Sequence, residues 1–240
     1  MDIHKPKPIH SWREFLKEYA IIVLGVATAL AAEQAVVTLH DRAKAAEARA
    51  GIHAEIAFNL AEMNARQALE PCVIKRLGEV DALIAAASAG KLPPEPILVG
   101  ATGLRTMQDA KYKAALQSGA VSLFGDNEQA TYSDLYSKFE IFNRERLTER
   151  TGWWELRTLE THPPPTAALD AMWRSALQRA RASRALLNIT RSAALTDASG
   201  IGVAPEPRKL QPVQPICLPL HTSRDGALKQ LPNSFGTYFQ

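Results

Sequence analysis

The sequence is poor in the residues that mark sheets, tight turns and reactive sites. It has two cysteines and 13 glycines among 240 residues, and runs of β-branched residues are rare. Alanine is abundant instead. Because alanine favours helices and β-branched residues favour strands, this composition predicts an all-α fold. Repeats at a fixed period, which would indicate a solenoid, are also missing.

Sequence motifs for chemistry are missing too. The six histidines form no H-x-x-x-H or E-x-x-H pattern and no cluster with cysteine, so no metal site is expected. The chain has no G-x-S-x-G motif, no P-loop and no G-x-G-x-x-G that opens a helix. We therefore expect a protein that is not an enzyme, with no catalytic residues, no cofactor and no metal.

Neither basic nor acidic residues are in large excess. The 28 basic and 25 acidic residues are well mixed and leave a net charge of +3. No cluster of lysine and arginine is interleaved with aromatic residues, as a nucleic-acid-binding surface would require. We therefore expect no nucleic acid among the partners.

One long apolar run is present near the N-terminus, at residues 20–39, and its first thirteen residues carry no charge. Twenty helical residues rise about 30 Å, which is the hydrocarbon thickness of a bilayer. Trp12 and Tyr19 flank the run as interfacial aromatics do. These features favour a transmembrane helix. Two alternatives remain, a cleaved signal peptide with an A-x-A site at residues 29–31, and a buried core helix of a soluble protein.

The charges that flank the run predict its orientation. Four basic residues precede it and three follow it closely, which favours a cytoplasmic N-terminus and a periplasmic remainder. The predicted organisation is a cytoplasmic segment (1–10), a transmembrane helix (11–40), a periplasmic helical domain (41–199) and an extended, proline-rich tail (200–240).

The two cysteines, Cys72 and Cys217, both follow the apolar run. A pair of cysteines in an otherwise cysteine-poor chain is typical of a disulfide in an oxidising compartment such as the periplasm. The alternative is two unpaired thiols that are buried as small apolar groups.

A polar residue interrupts the apolar run. Glu33 shares one helical face with Gly25, Ala29 and Val36, and Gly25-x-x-x-Ala29 is a small-xxx-small pattern that lets helix backbones approach closely. We interpret this face as a docking surface for another membrane helix, in a second copy or in another membrane protein. The alternative is a span that starts near Phe15, which would place Glu33 at the membrane interface.

Apolar spacing and capping residues predict the remaining elements. The first helix is expected to start at Ser11, within a capping box, and to continue to about residue 69. Further helices are predicted at residues 71–89, at 106–117 with Thr106 as cap, from 126 to about 159, and at 166–195. Aromatic residues between Tyr132 and Phe142 have the helical spacing that is typical of a face buried in the core.

Two further aromatic segments lie outside this core face. Trp153 and Trp154 are adjacent and lie about 100° apart on a helix, so at least one of them is expected to be partly exposed, and a contact with a membrane surface or a partner is one interpretation. The aromatic end of the tail, residues 235–239, is interpreted as a segment that docks onto the helices or a partner, and the alternative is a loosely ordered terminus.

Several short segments resemble a known group of proteins. Residues 13–19, 21–26 and 32–34, with Glu70-Pro71-Cys72 and residues 116–119, are similar to uncharacterised proteobacterial proteins that have one membrane helix and a helical extracytoplasmic region. This resemblance implies a bacterial inner-membrane location and no particular activity.

The sequence thus predicts a non-enzymatic accessory or scaffolding subunit of a bacterial inner-membrane assembly, with the lipid bilayer and other membrane proteins as partners. The alternative is a periplasmic sensing or ligand-binding module. Only about ten residues precede the first helix, so such a module would signal through a membrane partner. A membrane-tethered enzyme is the least favoured class.

Overall fold

The computed structural model of the protein describes residues 12–103, 105–207 and 214–230. Within these ranges the structure is helical and has no strand, which confirms the all-α prediction. The helices are α1 (Trp12–Gln67), α2 (Glu70–Ser88), α3 (Ala110–Gln117), α4 (Asp126–Leu156), α5 (Ala167–Gly200) and α6 (Arg224–Gln230). Short 3₁₀ turns lie at Val121–Leu123, Arg157–Thr161 and Pro215–Cys217.

The first helix, α1, is a single element of 56 residues that would measure about 84 Å if straight. It is long and apolar enough to cross a membrane, and the apolar stretch has no buried residue. A core helix of a soluble protein would be buried, so that alternative does not fit. The first buried residue of α1 is Ala45. The predicted cap, Ser11, lies outside the described residues.

From Ala45 onward the chain packs, and we call residues 45–203 the helical body. Its longest elements, α4 and α5, pack against each other along their length, and the C-terminal half of α1 and then α2 lie along them. The break between α1 and α2 lies next to Pro71, which has no N–H to donate and therefore disfavours a continuous helix.

Two apolar clusters stabilise the helical body. One joins α1 and α3 with the start of α4 and the end of α5. The other joins α2 and residues 97–101 with the end of α4 and the start of α5. The aromatic face predicted on α4 lies in the first cluster, where Tyr132, Phe139 and Phe142 are buried.

The start of α3 differs from the prediction. The helix begins at Ala110, after Asp109, and not near Thr106. The reason is a tertiary contact, because the Glu55 carboxylate of α1 accepts hydrogen bonds from the backbone N–H groups of Lys111 (2.8 Å) and Tyr112 (3.2 Å). A distant side chain therefore satisfies the free donors at the start of α3, and no capping threonine is used.

The ends of α4 and α5 also differ slightly from expectation. The α-helix α4 ends at Leu156, and a 3₁₀ turn continues to Thr161 before the three prolines. Helix α5 begins after Thr166, whose hydroxyl accepts from the Leu169 N–H at 3.2 Å. It extends to Gly200, five residues beyond the predicted end, because Ala198 is still buried against the first apolar cluster.

The chain after α5 returns along the helical body. Cys72 and Cys217 form a disulfide bond, the pairing that the sequence suggested, with the two Cα atoms 4.9 Å apart. Next to it, the Arg76 guanidinium of α2 donates to the carbonyls of Leu98 and Leu218. This arginine therefore ties the loop before α3 to the tail. The aromatic residues 235–239 lie outside the described residues.

Candidate functional site

The predicted docking face lies on the exposed part of α1. Gly25, Ala29, Glu33 and Val36 are all exposed, and a Cβ added at Gly25 would meet no atom within 4 Å. At 100° per residue these four positions fall within an arc of about 80°. The structure thus brings them together on one side of the helix, with no other part of the described chain against them.

The same side of α1 stays exposed beyond the apolar segment. Ala43, Ala50 and Ala54 follow the face of Gly25 at near-heptad spacing and are exposed. The residues that pack into the helical body, such as Ile52 and Ile56, lie on the opposite side of the helix. The sequence analysis did not extend the face this far, although the alanine spacing was visible in the sequence.

A layer of charged side chains crosses the middle of the helical body. It lies where α1 meets α2, and on α4 and α5 it separates the residues of the two apolar clusters. Its charged members are Arg66 of α1, Glu70 of α2, Arg146 and Glu149 of α4, and Arg184 of α5.

The centre of this charged layer is a bidentate ion pair. The Arg66 guanidinium donates from Nε to one oxygen of Glu149 at 3.0 Å and from Nη2 to the other. Arg66 is 4% exposed and Glu149 is fully buried. Glu70 accepts from Arg66 at 3.4 Å, from the Asn188 amide at 2.9 Å and from Arg184. These contacts join α1, α2, α4 and α5 at one level.

The pKa values of the two buried arginines respond oppositely to this environment. Burial disfavours the Arg66 cation, but the Glu149 and Glu70 carboxylates outweigh burial, so the pKa of Arg66 is raised. Burial lowers the pKa of Arg146 to about 10. The Arg146 guanidinium donates to the carbonyls of Arg105 (2.7 Å) and Gly103 (2.8 Å), and thereby holds the loop before α3.

Chemically, the charged layer is suited to a structural role. Both oxygens of Glu149 accept hydrogen bonds from the Arg66 guanidinium, so the pair holds α1 against α4. This layer was not predicted from the sequence, although a signal existed. Arg146 and Glu149 continue the three- and four-residue spacing of the apolar face after Phe142, so buried charges were to be expected there.

A second polar group lies nearer the exposed part of α1. The His53 ring contacts the Tyr132 hydroxyl at 2.7 Å, and this hydroxyl donates to Glu128 at 2.8 Å. The Arg49 guanidinium donates to both oxygens of Glu128, at 2.6 and 2.9 Å. Arg49 lowers the pKa of Glu128, whereas partial burial lowers the pKa of His53.

We expect His53 to make the protein less stable in mild acid. Because its pKa is lower in the folded chain, the unfolded chain binds a proton more readily as the pH falls below about 6.5. Stability is therefore lost as the pH falls through this region. In H53Q the decrease in Tm between about pH 7.5 and about pH 5.5 should be smaller than in the wild type. Equal decreases in both proteins would contradict this role, since the other histidines are common to both.

An open groove lies between α3 and α4. Its volume is about 570 Å³, and its wall includes Tyr112 and Tyr136, whose rings stack with their centroids 4.2 Å apart. Lys113 and Glu140 provide charges of opposite sign along it. Among residues 12–103, 105–207 and 214–230, no group of three or more His, Cys, Asp or Glu side chains is placed to hold a metal ion.

Comparison of the chain with protein families, with curated proteins and with solved structures found no match. The functional argument therefore depends on the geometry of the chain itself.

Proposed function

We propose that the protein is a single-pass membrane protein of the bacterial inner membrane, with its N-terminus in the cytoplasm and the helical body in the periplasm. The length and exposure of the apolar part of α1 support a membrane span. The Cys72–Cys217 disulfide supports an oxidising compartment for the helical body. The small excess of basic residues before the span supports the orientation.

Within that membrane we propose a non-enzymatic accessory or scaffolding subunit, which docks through α1 onto a transmembrane helix of another membrane protein. The observation that carries this proposal is the exposed Glu33 on the same face as Gly25 and Ala29. An ionised carboxylate that faces lipid costs about 2–3 kcal/mol, so it favours a protein partner with a hydrogen-bond donor. The two small residues let such a partner approach closely.

The side of α1 that would receive the partner is free of the helical body. The partner helix can follow the exposed alanines, Ala43, Ala50 and Ala54, beyond the membrane without displacing any packed element. The protein would then present the helical body at a defined position beside its partner.

The docking proposal predicts that the double variant G25L/A29L loses its partner. Two leucines would separate the helix backbones, and we expect recovery of the partner after mild detergent extraction to fall by about ten-fold. The matched control is A27L/A31L, which has the same spacing and adds one carbon atom fewer, on the opposite face of α1. Unchanged co-purification and oligomer size in G25L/A29L would refute the proposal, and loss of a homo-oligomer alone would identify a second copy as the occupant.

A sensing or ligand-binding module is the second candidate, and the groove between α3 and α4 is the observation that favours it. A ligand of this groove would raise the Tm of the wild type and have less effect on Y112A. If a small-molecule screen finds no ligand with that difference, this candidate is excluded.

A further inference from the structure

One turn of the helical body lies at the end nearest the apolar segment of α1. Helix α3 runs back toward that segment, because Gln108, just before it, contacts Asn59, whereas Ser118 after it accepts from Lys44. Helix α4 then starts at the same level, where Glu128 binds Arg49. Residues 118–125 are therefore the lowest part of this side of the helical body, and we call them the proximal turn.

The turn after α5 lies further from the apolar segment. Ile201 lies beside Ala130 of α4, between Glu128, which binds Arg49, and Tyr132, which contacts His53. The chain then returns upward, since the Glu206 N–H donates to the Ala57 carbonyl at 3.1 Å. Residues 199–203 are therefore level with residues 49–53 of α1, and only the proximal turn lies near the apolar segment.

The helix rise places the proximal turn at the height of lipid headgroups. Lys44, which contacts this turn, follows Leu39, the end of the apolar segment, by five residues, or about 7.5 Å of helix. The headgroup layer adds about 5–8 Å to each side of the hydrocarbon core. Because α1 continues without a break from the apolar segment into the helical body, the two are held at a fixed distance.

The chemistry of the proximal turn suits that height. It contains no charged residue. Leu123 within it is 39% exposed. By contrast, the exposed Trp154 lies 28 residues along α4 from Asp126, about 42 Å away, so a contact of Trp154 with this membrane surface does not fit.

We infer that the proximal turn is a lipid-contact surface, with the side chain of Leu123 inserted among the headgroups of the leaflet from which α1 emerges. This inference rests on the proposed membrane span, and the continuity of α1 from that span is what identifies lipid as the occupant. The contact adds one point beside α1 at which the helical body touches the membrane, and it thereby restricts the tilt of the body.

The test uses the full chain in vesicles of phosphatidylethanolamine and phosphatidylglycerol. A single cysteine replaces Leu123, Leu147 or Leu30 and carries an environment-sensitive fluorophore, while the native cysteines remain in their disulfide. Leu147 is the matched control, since it is an exposed leucine about 30 Å further along α4. Leu30 reports on the membrane span.

We expect nitroxide lipids labelled near the headgroup to quench L123C at least about two-fold more than L147C, as an interfacial position requires. Lipids labelled deep in the acyl chain should quench L30C. Quenching of L30C with equal, weak quenching of L123C and L147C would overturn the lipid-contact surface and leave the span intact. Absence of quenching at L30C would overturn the span and this inference with it.

Discussion

Removal of the Cys72–Cys217 disulfide is expected to lower the free energy of unfolding by about 5 kcal/mol, the largest effect that we predict for a single bond in this chain. The bond connects residues 145 positions apart. Without it the unfolded chain gains the conformational freedom of a very long loop, and the chain-entropy relation gives this value for such a length. Folded domains have about 5–15 kcal/mol in total, so the loss is severe.

The measurement is thermal unfolding of the C72S/C217S variant in detergent, beside the wild type with and without a reducing agent. The reductant should destabilise the wild type and leave the variant unchanged, which separates the disulfide from other effects of reduction. If the wild type and the variant unfold within a degree or two of each other, the bond does not constrain the unfolded chain as proposed.

Disruption of the Arg66–Glu149 pair is the second large effect. In R66M the fully buried Glu149 carboxylate loses its cationic partner and keeps the Thr102 hydroxyl as a donor at 3.3 Å, and breaking a buried ion pair in this way costs about 3–5 kcal/mol. For a chain of this size the Tm should fall on the order of 10 °C. Unfolding by heat or denaturant in detergent measures the change.

Two further variants separate the buried charge from the loss of an arginine. R66M/E149L removes both charges and should recover most of the lost stability, because apolar replacements of a buried ion pair are often neutral. R174M breaks an exposed pair with Asp170 and should change the stability very little, because solvent screens such a pair. If R66M costs no more than R174M, or if the double variant loses the sum of its single effects, the buried pair is not coupled as the structure suggests.

Local patterns in the sequence were sufficient to predict the positions of most of the helices. Proline at 71 and at 163–165, and the cap at Thr166, placed the ends of the predicted elements within a few residues of the observed ones. The apolar run and the aromatic face of α4 were equally legible. These features are legible because helix formation, capping and amphipathic spacing depend on residues three or four positions apart.

The start of α3 illustrates where such patterns fail. Thr106 and Asp109 form a plausible local cap, which would satisfy the N–H groups of residues 108 and 109. In the structure the helix starts later, and the N–H groups of Lys111 and Tyr112 donate to Glu55, which is 56 and 57 residues before these two donors in sequence. Each solution satisfies the first free donors of its own helix start. The choice between them depends on whether α1 passes beside this segment, which no local pattern records.

The candidate sites show the same difference between features that local patterns predict and features that depend on packing. The face of Gly25, Ala29 and Glu33 follows from the helical period alone, and so it was predicted before the structure. Arg66 and Glu149 are 83 positions apart in sequence, and Glu70 and Arg184 are 114 positions apart. Which charges meet is decided by how α1, α2, α4 and α5 pack, because the energy of an ion pair depends on distance and burial in space and not on separation along the chain.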